Sequence, residues 1–441
     1  MKKKILLLTM LMLTALLFTG CAMRTVEDMY ALPKRSEEYN QFQSVVDSAM
    51  VGLTYSAPIS GENQQTVQMA DLDGDGVDEY VVFATGTSTN PLQVLVFSQE
   101  ENGTCRLTEV IESNGLAFEQ VEYVEFDDKP GCELVIGRRV SDQVLRRVSV
   151  YSFSNGGAEL LLMNSYSKFL TCDLNEDGHS ELMVLRPGEE ETERGMAVLY
   201  SSLDGQIERS VETELSVDPS QIRRITTGKL HGGTPAVYVA SSADESAIVT
   251  DIFALRNDRF TNSSFTSESD TSIQALRNYY VYAEDIDEDG VLELQSLLTM
   301  KSVSKWTEEE QKFLLRWFAI DVDGREVDKM YTFHYYQGGW YVQLNSAWAS
   351  RVTVDQGNNT YTFYAWNESY QEATALFTIY VFTGSTRDED AGEDGRFALY
   401  RAEGIAYAAK LEQNAAEYGI TEENLTECFR LIRQDWRTEE T

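Results

Sequence analysis

An acidic nine-residue segment that recurs along the chain constrains the fold more than any other feature of the sequence. The three intact copies begin at Asp71, Asp173 and Asp285 and read DLDGDGVDE, DLNEDGHSE and DIDEDGVLE. Two degenerate copies begin at Glu125 (EFDDKPGCE) and Lys229 (KLHGGTPAV), so successive copies start 54, 48, 56 and 56 residues apart. A period of about 50 residues is typical of propellers and solenoids.

Each copy is followed by the same succession of apolar segments and turns. An apolar run begins at the end of every acidic segment, and a second run follows in the first four copies, at 94–97, 148–151, 197–200 and 252–255. A polar turn and a further short apolar segment complete these repeats. Four strands per repeat make the blade of a β-propeller. The chain is therefore predicted to be mainly β, with an imperfect β-propeller of about five four-stranded blades.

The intact segments carry oxygen-bearing side chains at positions 1, 3, 5 and 9. Glycine at position 6 allows a sharp bend, and position 7 can offer its backbone carbonyl. Hard oxygen ligands in this number suit Ca²⁺. We predict up to three structural Ca²⁺ ions as the cofactors. The candidate ligands are Asp71, Asp73, Asp75 and Glu79; Asp173, Asn175, Asp177 and Glu181; and Asp285, Asp287, Asp289 and Glu293.

An EF-hand and a bare hairpin are the two alternative interpretations of the segment. An EF-hand requires glutamate at position 12 and a following helix, but position 12 here is Val82, Val184 or Ser296, so an EF-hand is excluded. A bare hairpin also uses Asp and Gly, yet it does not need three or four mutually repelling acids in three separate copies. In the degenerate copies Lys129 and Lys229 replace acids, and we predict no metal there.

The segment resembles the calcium loop of FG-GAP/VCBS repeats, which occur in integrin-type propellers and bacterial surface proteins. The resemblance covers about residues 60–330 and is specific in the three intact copies. The Phe-Gly and Gly-Ala-Pro elements of that family are not clearly present; FATG at 83–86 is the nearest fragment. Position 9 is Glu rather than the family's Asp. The resemblance implies a binding or scaffolding role at the cell envelope.

The N-terminus has the pattern of a secretion signal. Three lysines precede an uncharged apolar run at 5–18 that is too short to span a bilayer. LFTGC at 17–21 resembles the lipobox of bacterial lipoproteins, which implies cleavage after Gly20 and lipidation of Cys21, with a fatty acid such as palmitate. An ordinary signal peptide with a chance cysteine is the alternative. We predict an extracytoplasmic protein attached to the membrane of a bacterium through its N-terminal lipid.

Charge excludes one large class of partner. Without the three signal lysines the chain has 33 basic and 72 acidic residues, a net charge of −39. Nucleic acid is therefore excluded as a partner, because its phosphates need the opposite charge. The remaining cysteines, at 105, 132, 172 and 428, match no zinc pattern. They could be buried thiols or form one or two disulfides.

Four regions are predicted: a signal peptide at 1–20, a lipidated tether with a helix from Ser36 to Val51 at 21–60, the propeller at 61–336, and a small α+β domain at 337–441. In the last we expect strands at 340–344, 361–366 and 376–382. We also expect a closing helix from Thr421 with Leu425, Cys428, Phe429, Ile432 and Trp436 on one side. The alternative is that these strands complete one or two further blades.

Catalytic signatures are sparse. The chain has three histidines, and no HExxH, GxSxG or phosphate-binding glycine loop. Aromatic residues at 279–282, 340–348 and 361–366 could form a binding platform, but the alternation at 361–366 fits core strands equally well, and we favour the core interpretation. The leading hypothesis is a non-enzymatic module that binds an envelope protein or glycan. The rival is an envelope hydrolase with its site in the C-terminal domain or propeller channel, and a third is a calcium sensor.

Overall fold

The computed structural model describes residues 37–99, 104–141, 145–154, 156–188, 194–203, 206–243, 247–257, 259–265, 273–276, 282–300, 312–344, 351–366 and 373–433. It divides into two compact units. Of the described residues, the first unit contains those up to Pro58, those of Gln65–Asp71 and those of Gly76–Asn114. The second contains Ile59–Gln64, Leu72–Asp75 and the described residues from Gly115 onward.

The first unit combines one helix with one antiparallel sheet. Helix α1 (Glu37–Ala49) has two glutamates at its N-terminal end, which the helix dipole favours. Its Phe42 stacks on Tyr80 with ring centroids 4.1 Å apart, and Val46 is buried in the core of this unit. The predicted helix is thereby confirmed over the described residues. The strands of the sheet are β1 (Thr54–Tyr55), β2 (Val67–Ala70), β3 (Glu79–Thr85), β4 (Leu92–Gln99) and β5 (Cys105–Ser113).

The second unit begins with three sheets built on one plan. In each, four consecutive strands pair antiparallel in chain order, which is the arrangement of a propeller blade. The first sheet contains β6 (Ala117–Val124), β7 (Glu133–Arg139), β8 (Arg146–Ser152) and β9 (Glu159–Tyr166). The second contains β10 (Lys168–Cys172), β11 (Glu181–Arg186), β12 (Met196–Leu203) and β13 (Gln206–Glu214). The third contains β14 (Ile222–Lys229), β15 (Pro235–Ser242), β16 (Ala247–Arg256) and β17 (Arg259–Asn262), with β18 (Ile273–Leu276) also paired to β16. A 3₁₀ turn at Pro219–Gln221 precedes the third sheet.

The central strands of these sheets are the apolar runs predicted from the sequence. Strand β11 has five consecutive buried residues, and all but one residue of each of β7 and β15 are buried. The edge strand β14 instead contains only half-buried and exposed residues. A strand covered on both faces tolerates continuous apolar sequence, whereas an outer strand does not. The predicted fold class, mainly β with four-stranded propeller blades, is confirmed.

A further sheet crosses the predicted domain boundary. It contains β19 (Leu294–Thr299), β20 (Phe313–Ile320), β21 (Glu326–Tyr335), β22 (Trp340–Leu344) and, last, β28 (Phe429–Leu431). Strand β22 pairs with β21 through a short turn, from Tyr335 opposite Trp340 to Tyr331 opposite Leu344. The predicted division between residues 336 and 337 therefore falls inside a hairpin.

The remaining C-terminal residues form a five-stranded sheet with short helices. Its strands are β23 (Val352–Gln356), β24 (Thr360–Ala365), β25 (Thr374–Thr383), β26 (Phe397–Ala402) and β27 (Ile405–Leu411). Helix α2 (Arg387–Asp390), a 3₁₀ turn at Ala415–Tyr418 and helix α3 (Glu422–Cys428) complete it. The predicted strands at 340–344, 361–366 and 376–382 are all present.

The predicted closing helix is wrong in its second half. Thr421 does cap α3, and its hydroxyl accepts a hydrogen bond from the Asn424 N–H, but the helix ends at Cys428. Phe429 begins β28, because its ring packs 5.7 Å from that of Trp340 while its backbone pairs with β22. Ile432 consequently lies beyond the helix, and Trp436 is outside the described residues.

Aromatic side chains join the last two sheets into one core. Phe333 meets Phe363 edge to face with ring centroids 5.3 Å apart, and Trp340 lies 5.0 Å from Tyr361. Trp340, Tyr361 and Phe363 are all buried. Their burial confirms that these three aromatics are core residues and not a binding platform. Tyr279, Tyr280 and Trp348 lie outside the described residues.

Candidate metal centres

Each acidic loop occupies the same place relative to its sheet. The loop at 173–181 joins β10 to β11, and the degenerate loops at 125–133 and 229–237 join β6 to β7 and β14 to β15. Glu79, Glu133 and Glu181 are the first residues of β3, β7 and β11, and Glu293 directly precedes β19. The closing acid is therefore held by a strand, and all four of these glutamates are buried.

The loop at 173–181 is folded by hydrogen bonds from its own backbone. The Gly178 and Glu176 N–H groups donate to Asp173 Oδ2 and Oδ1 at 3.0 and 2.7 Å. The Leu174 N–H donates to Glu181 Oε2 at 2.8 Å, so one carboxylate oxygen of the closing acid is engaged with the backbone. The other, Oε1, faces the interior of the loop.

An amide group fills the interior of this loop. Asn175 Nδ2 donates to Glu181 Oε1 at 2.7 Å and to Asp177 Oδ2 at 2.8 Å. Its Oδ1 accepts from the Asp177 N–H at 2.8 Å. The structure therefore brings Asn175, Asp177 and Glu181 together as predicted, with Asp173 held to the backbone at the rim. An amide rotated by 180° would turn its oxygen inward, which is the donor that a cation requires.

The loop at 285–293 repeats this geometry with a denser cluster of acids. The Gly290 N–H donates to Asp285 Oδ2 at 2.8 Å, and the Ile286 N–H donates to Glu293 Oε2 at 3.1 Å. Asp285, Asp287 and Asp289 can each offer a carboxylate oxygen within 4.8 Å of the others. Glu293 is 0% exposed, and its Oε1 has no hydrogen-bond partner. Such a buried acceptor fits a cation ligand.

A lysine that the sequence analysis missed enters this second cluster. Lys329 of β21 donates a hydrogen bond to Asp289 Oδ2, and its Nζ lies 3.8 Å from Asp287 Oδ2 and 3.7 Å from Glu293 Oε1. Its side chain is only 14% exposed. No motif links it to the loop, because it lies on β21, which β20 separates from β19 in the sheet. The signal available was a pair of charged residues, Asp328 and Lys329, directly before the mainly apolar strand segment MYTF.

Burial disfavours the ionised form of the closing glutamates. Desolvation raises the pKa of Glu181 to about 7, with repulsion from Asp177 and Asp173 adding to it. Desolvation and Asp287 raise the pKa of Glu293 to about 8, although Lys329 opposes the rise. A group shifted this way has a buried charge that its surroundings do not fully compensate. Both loops thus provide sites where a positive ion would be favourable.

The loop at 71–79 is divided between the two units. In each part a backbone N–H donates a hydrogen bond to a carboxylate of the loop. In the first unit, the Gly76 N–H donates to Asp71 Oδ2 at 3.0 Å, and Asp71 and Glu79 can each offer an oxygen within 4.8 Å of the other. In the second unit, the Asp75 N–H donates to Asp73 Oδ1 at 3.2 Å. The hydrogen bond from position 6 to position 1 is thus common to all three intact loops.

The degenerate loops keep the fold of the turn without the full set of acids. Glu133 Oε2 accepts from the Phe126 N–H at 3.3 Å, and the Lys129 N–H donates to Asp127 Oδ1 at 2.9 Å. In the loop at 229–237, Lys229 Nζ instead bonds Glu176 Oε1 of the preceding loop at 3.1 Å. Val237 takes the place of the closing acid and is fully buried. That these two loops hold no metal stays a prediction.

The rings of two histidines have partners that are not among the candidate metal ligands. His179 Nε2 lies 3.2 Å from Asp128 Oδ1 of the neighbouring degenerate loop, so its ring links two loops, while its backbone N–H donates to Asp177. His334 stacks on Tyr341 with centroids 4.6 Å apart, and burial lowers its pKa well below the usual value. Both fit structural roles.

Cys21 lies outside the described residues, so its lipidation stays a prediction. The four described cysteines, Cys105, Cys132, Cys172 and Cys428, are free thiols. Within the described ranges, no helix is long and apolar enough to cross a bilayer.

Comparison with known proteins identifies no family. No family model matches the chain, and no curated protein matches it. Solved structures that resemble it include the Bacillus licheniformis rhamnogalacturonan lyase PL11, at 12% identity over 73% of this chain and 72% of that one, with a TM-score of 0.27. They also include the Dos1 propeller, at 9% identity over 81% and 89%, with a TM-score of 0.28. A putative 6-phosphogluconolactonase from Bacteroides uniformis, at 9% identity over 72% and 86%, has a TM-score of 0.27. Scores this low carry no argument about the chemistry of this chain.

Proposed function

We propose that the protein is a lipid-anchored extracytoplasmic binding or scaffold protein, with propeller blades fixed by structural Ca²⁺ and a surface presented to an envelope protein or glycan. The observation that carries the proposal is the buried closing glutamate. Glu181 and Glu293 each give one oxygen to the loop backbone and direct the other at a cluster of oxygen-bearing side chains. A buried carboxylate whose charge is only partly compensated is costly, and a divalent cation would reduce that cost.

The residues of each loop have separable tasks in this proposal. The glutamate fixes the loop to its strand and supplies a deep ligand. Asp173 and Asp285 shape the bend through the glycine N–H at position 6, and Asn175 with Asp177, or Asp287 with Asp289, supply the remaining side-chain oxygens. Bound Ca²⁺ would supply positive charge that neutralises these groups. We therefore assign it a structural role, with the sensor hypothesis set aside.

The contacts between the loops support the proposed scaffold role. His179 with Asp128, and Lys229 with Glu176, connect each loop to the next within the second unit. The loop tips at Glu176–Gly178 and Glu288–Gly290 remain exposed. Loops that are anchored at the strand and exposed at the tip suit presentation to a partner.

The calcium assignment is tested by the melting temperature of the full mature chain with Ca²⁺ and with a chelator. Ca²⁺ is expected to raise the melting temperature, and Glu181→Gln is expected to remove part of that rise. Val237→Ile, in the loop predicted to lack metal, is the control and should keep the full rise. Equal melting temperatures with and without Ca²⁺ would contradict the assignment.

The cellular role is tested separately. Cys21→Ser should release the protein from the membrane fraction, while Cys105→Ser should leave it there. Crosslinking on intact cells, followed by capture of the protein, should then recover one stoichiometric protein or glycan partner. No stoichiometric partner, together with turnover of envelope polymers by the purified protein, would favour the rival hydrolase.

A further inference from the structure

Four arginines occupy one end of two neighbouring strands in this strongly acidic protein. Strands β7 and β8 pair so that Arg138 lies opposite Arg147 and Arg139 lies opposite Arg146. Residues opposite each other in an antiparallel pair project on the same face, and like charges placed there repel. The arrangement is therefore unfavourable unless negative groups compensate for it.

Only one of the four has a carboxylate partner among the described residues. Arg146 Nε binds Glu119 Oε2 at 2.5 Å. Arg138 and Arg147, on the other face, both point at the thioether of Met163, with Nη2 and Nη1 at 3.6 and 3.9 Å from its Sδ. A thioether sulfur is a weak acceptor and carries no charge. The charge of this pair is thus not neutralised by any described side chain.

Arg138 is the more deeply buried of the two arginines. It is 4% exposed, and its Nε has no hydrogen-bond partner. Desolvation lowers the pKa of its guanidinium, and Tyr151 raises it while Arg147 lowers it. A buried charge without a counter-charge is among the costliest groups a fold can contain. Arg147 is half-buried and Met163 exposed, so the pair can be reached from outside.

We propose that Arg138 and Arg147 form a binding site for a carboxylate group. A guanidinium presents parallel N–H donors that match the two oxygens of a carboxylate. The net charge of −36 repels multiply charged anions at long range. A singly charged carboxylate, such as an acidic sugar or a peptide terminus would offer, meets the least repulsion while supplying the missing counter-charge.

Calorimetric titration of the full mature chain with sodium acetate tests the site, at constant ionic strength and with sodium sulfate as the comparison anion. Acetate should bind and raise the melting temperature. Arg147→Gln should weaken binding about tenfold or more, because a hydrogen bond to a charged group is lost. Arg256→Gln, which removes an arginine paired with Asp323 elsewhere, should leave acetate binding unchanged.

A second variant keeps the test decisive if the first folds poorly. Arg138→Met should abolish the acetate effect and, without acetate, raise the melting temperature, since it removes a buried uncompensated charge. Asp142, in the β7–β8 connection, lies outside the described residues. Stronger acetate binding in Asp142→Asn would identify an internal counter-ion and overturn the proposal. Preference for sulfate, or acetate binding that survives Arg147→Gln, would overturn it as well.

Discussion

Lys329 places its ammonium nitrogen 3.7 Å from the buried carboxylate oxygen Oε1 of Glu293. The same nitrogen bonds Asp289 and lies near Asp287, so a tethered positive charge occupies the loop that has the densest set of acids. The loop at 173–181 has the neutral Asn175 amide in the corresponding place. Ca²⁺ would have to displace a lysine from one loop and only rotate an amide in the other. The two loops are therefore expected to differ in affinity.

Removing that lysine should strengthen calcium binding at the loop it enters. We expect Lys329→Met to increase the affinity of this loop for Ca²⁺ by about tenfold, since each 1.4 kcal/mol of lost competition is one decade. In chelator, the same variant should melt at a lower temperature, because the acids then repel one another. Calorimetric Ca²⁺ titration measures the first effect and thermal unfolding in chelator measures the second, with Lys312→Met as the control for both. An unchanged affinity would show that Lys329 does not compete.

Glu133 should make the protein less stable as the pH rises. Desolvation, with repulsion from Asp127, raises the pKa of Glu133 in the folded state. The folded protein then holds the proton more tightly than the unfolded chain, so stability falls as the pH climbs from the unfolded pKa through the folded one. Glu133→Gln keeps an acceptor for Phe126 but no charge.

This variant should therefore gain stability relative to the native protein at pH 8 and little or none at pH 5. Urea unfolding at both values, in chelator, is the measurement, and Glu159→Gln on exposed β9 is the control. A difference that is the same at both pH values would contradict the prediction.

Gly74 and Gly232 allow two costs of adding a side chain, backbone strain and steric clash, to be measured separately. Both occupy position 4 of their loops with positive φ, at 77° and 98°. An added Cβ at Gly74 would lie 2.3 Å from the Pro130 carbonyl carbon, whereas at Gly232 it would meet nothing within 4 Å. Gly232→Ala should cost about 1–2 kcal/mol from backbone strain alone. Gly74→Ala should cost clearly more. Equal losses of unfolding free energy in urea for the two variants would show that Pro130 moves away from the added Cβ at no cost.

Phe363 should be required for the core that joins the last two sheets. It is fully buried and contacts Phe333 of the preceding sheet and Phe377 of its own, at 5.3 and 4.5 Å between ring centroids. Phe363→Ala should destabilise the protein by about 3–5 kcal/mol. Tyr400→Ala, at an exposed position on β26, should change little. If Phe363→Ala shifted only a separate, later unfolding transition, the shared core would be disproved.

The sequence predicted those parts of the molecule in which local pattern and tertiary structure agree. Continuous apolar runs such as that of β11 could be assigned to covered strands, and the loop residues Asn175, Asp177 and Glu181 were correctly expected to meet, since one short segment contains them all. The entry of Lys329 could not be predicted, because it depends on which strands become neighbours. The α-helical periodicity around Phe429 was misleading, since the contact with Trp340 decided its conformation.

The pairing of β28 with β22 has a consequence for how the protein behaves in solution. Without Phe429–Leu431, strand β22 would present the unpaired backbone N–H and C=O groups of Trp340–Val342 at an exposed edge of the sheet. Exposed edges of this kind pair with strands of other molecules. Loss of the residues from Phe429 onward would thus promote self-association even where the rest of the chain stays folded.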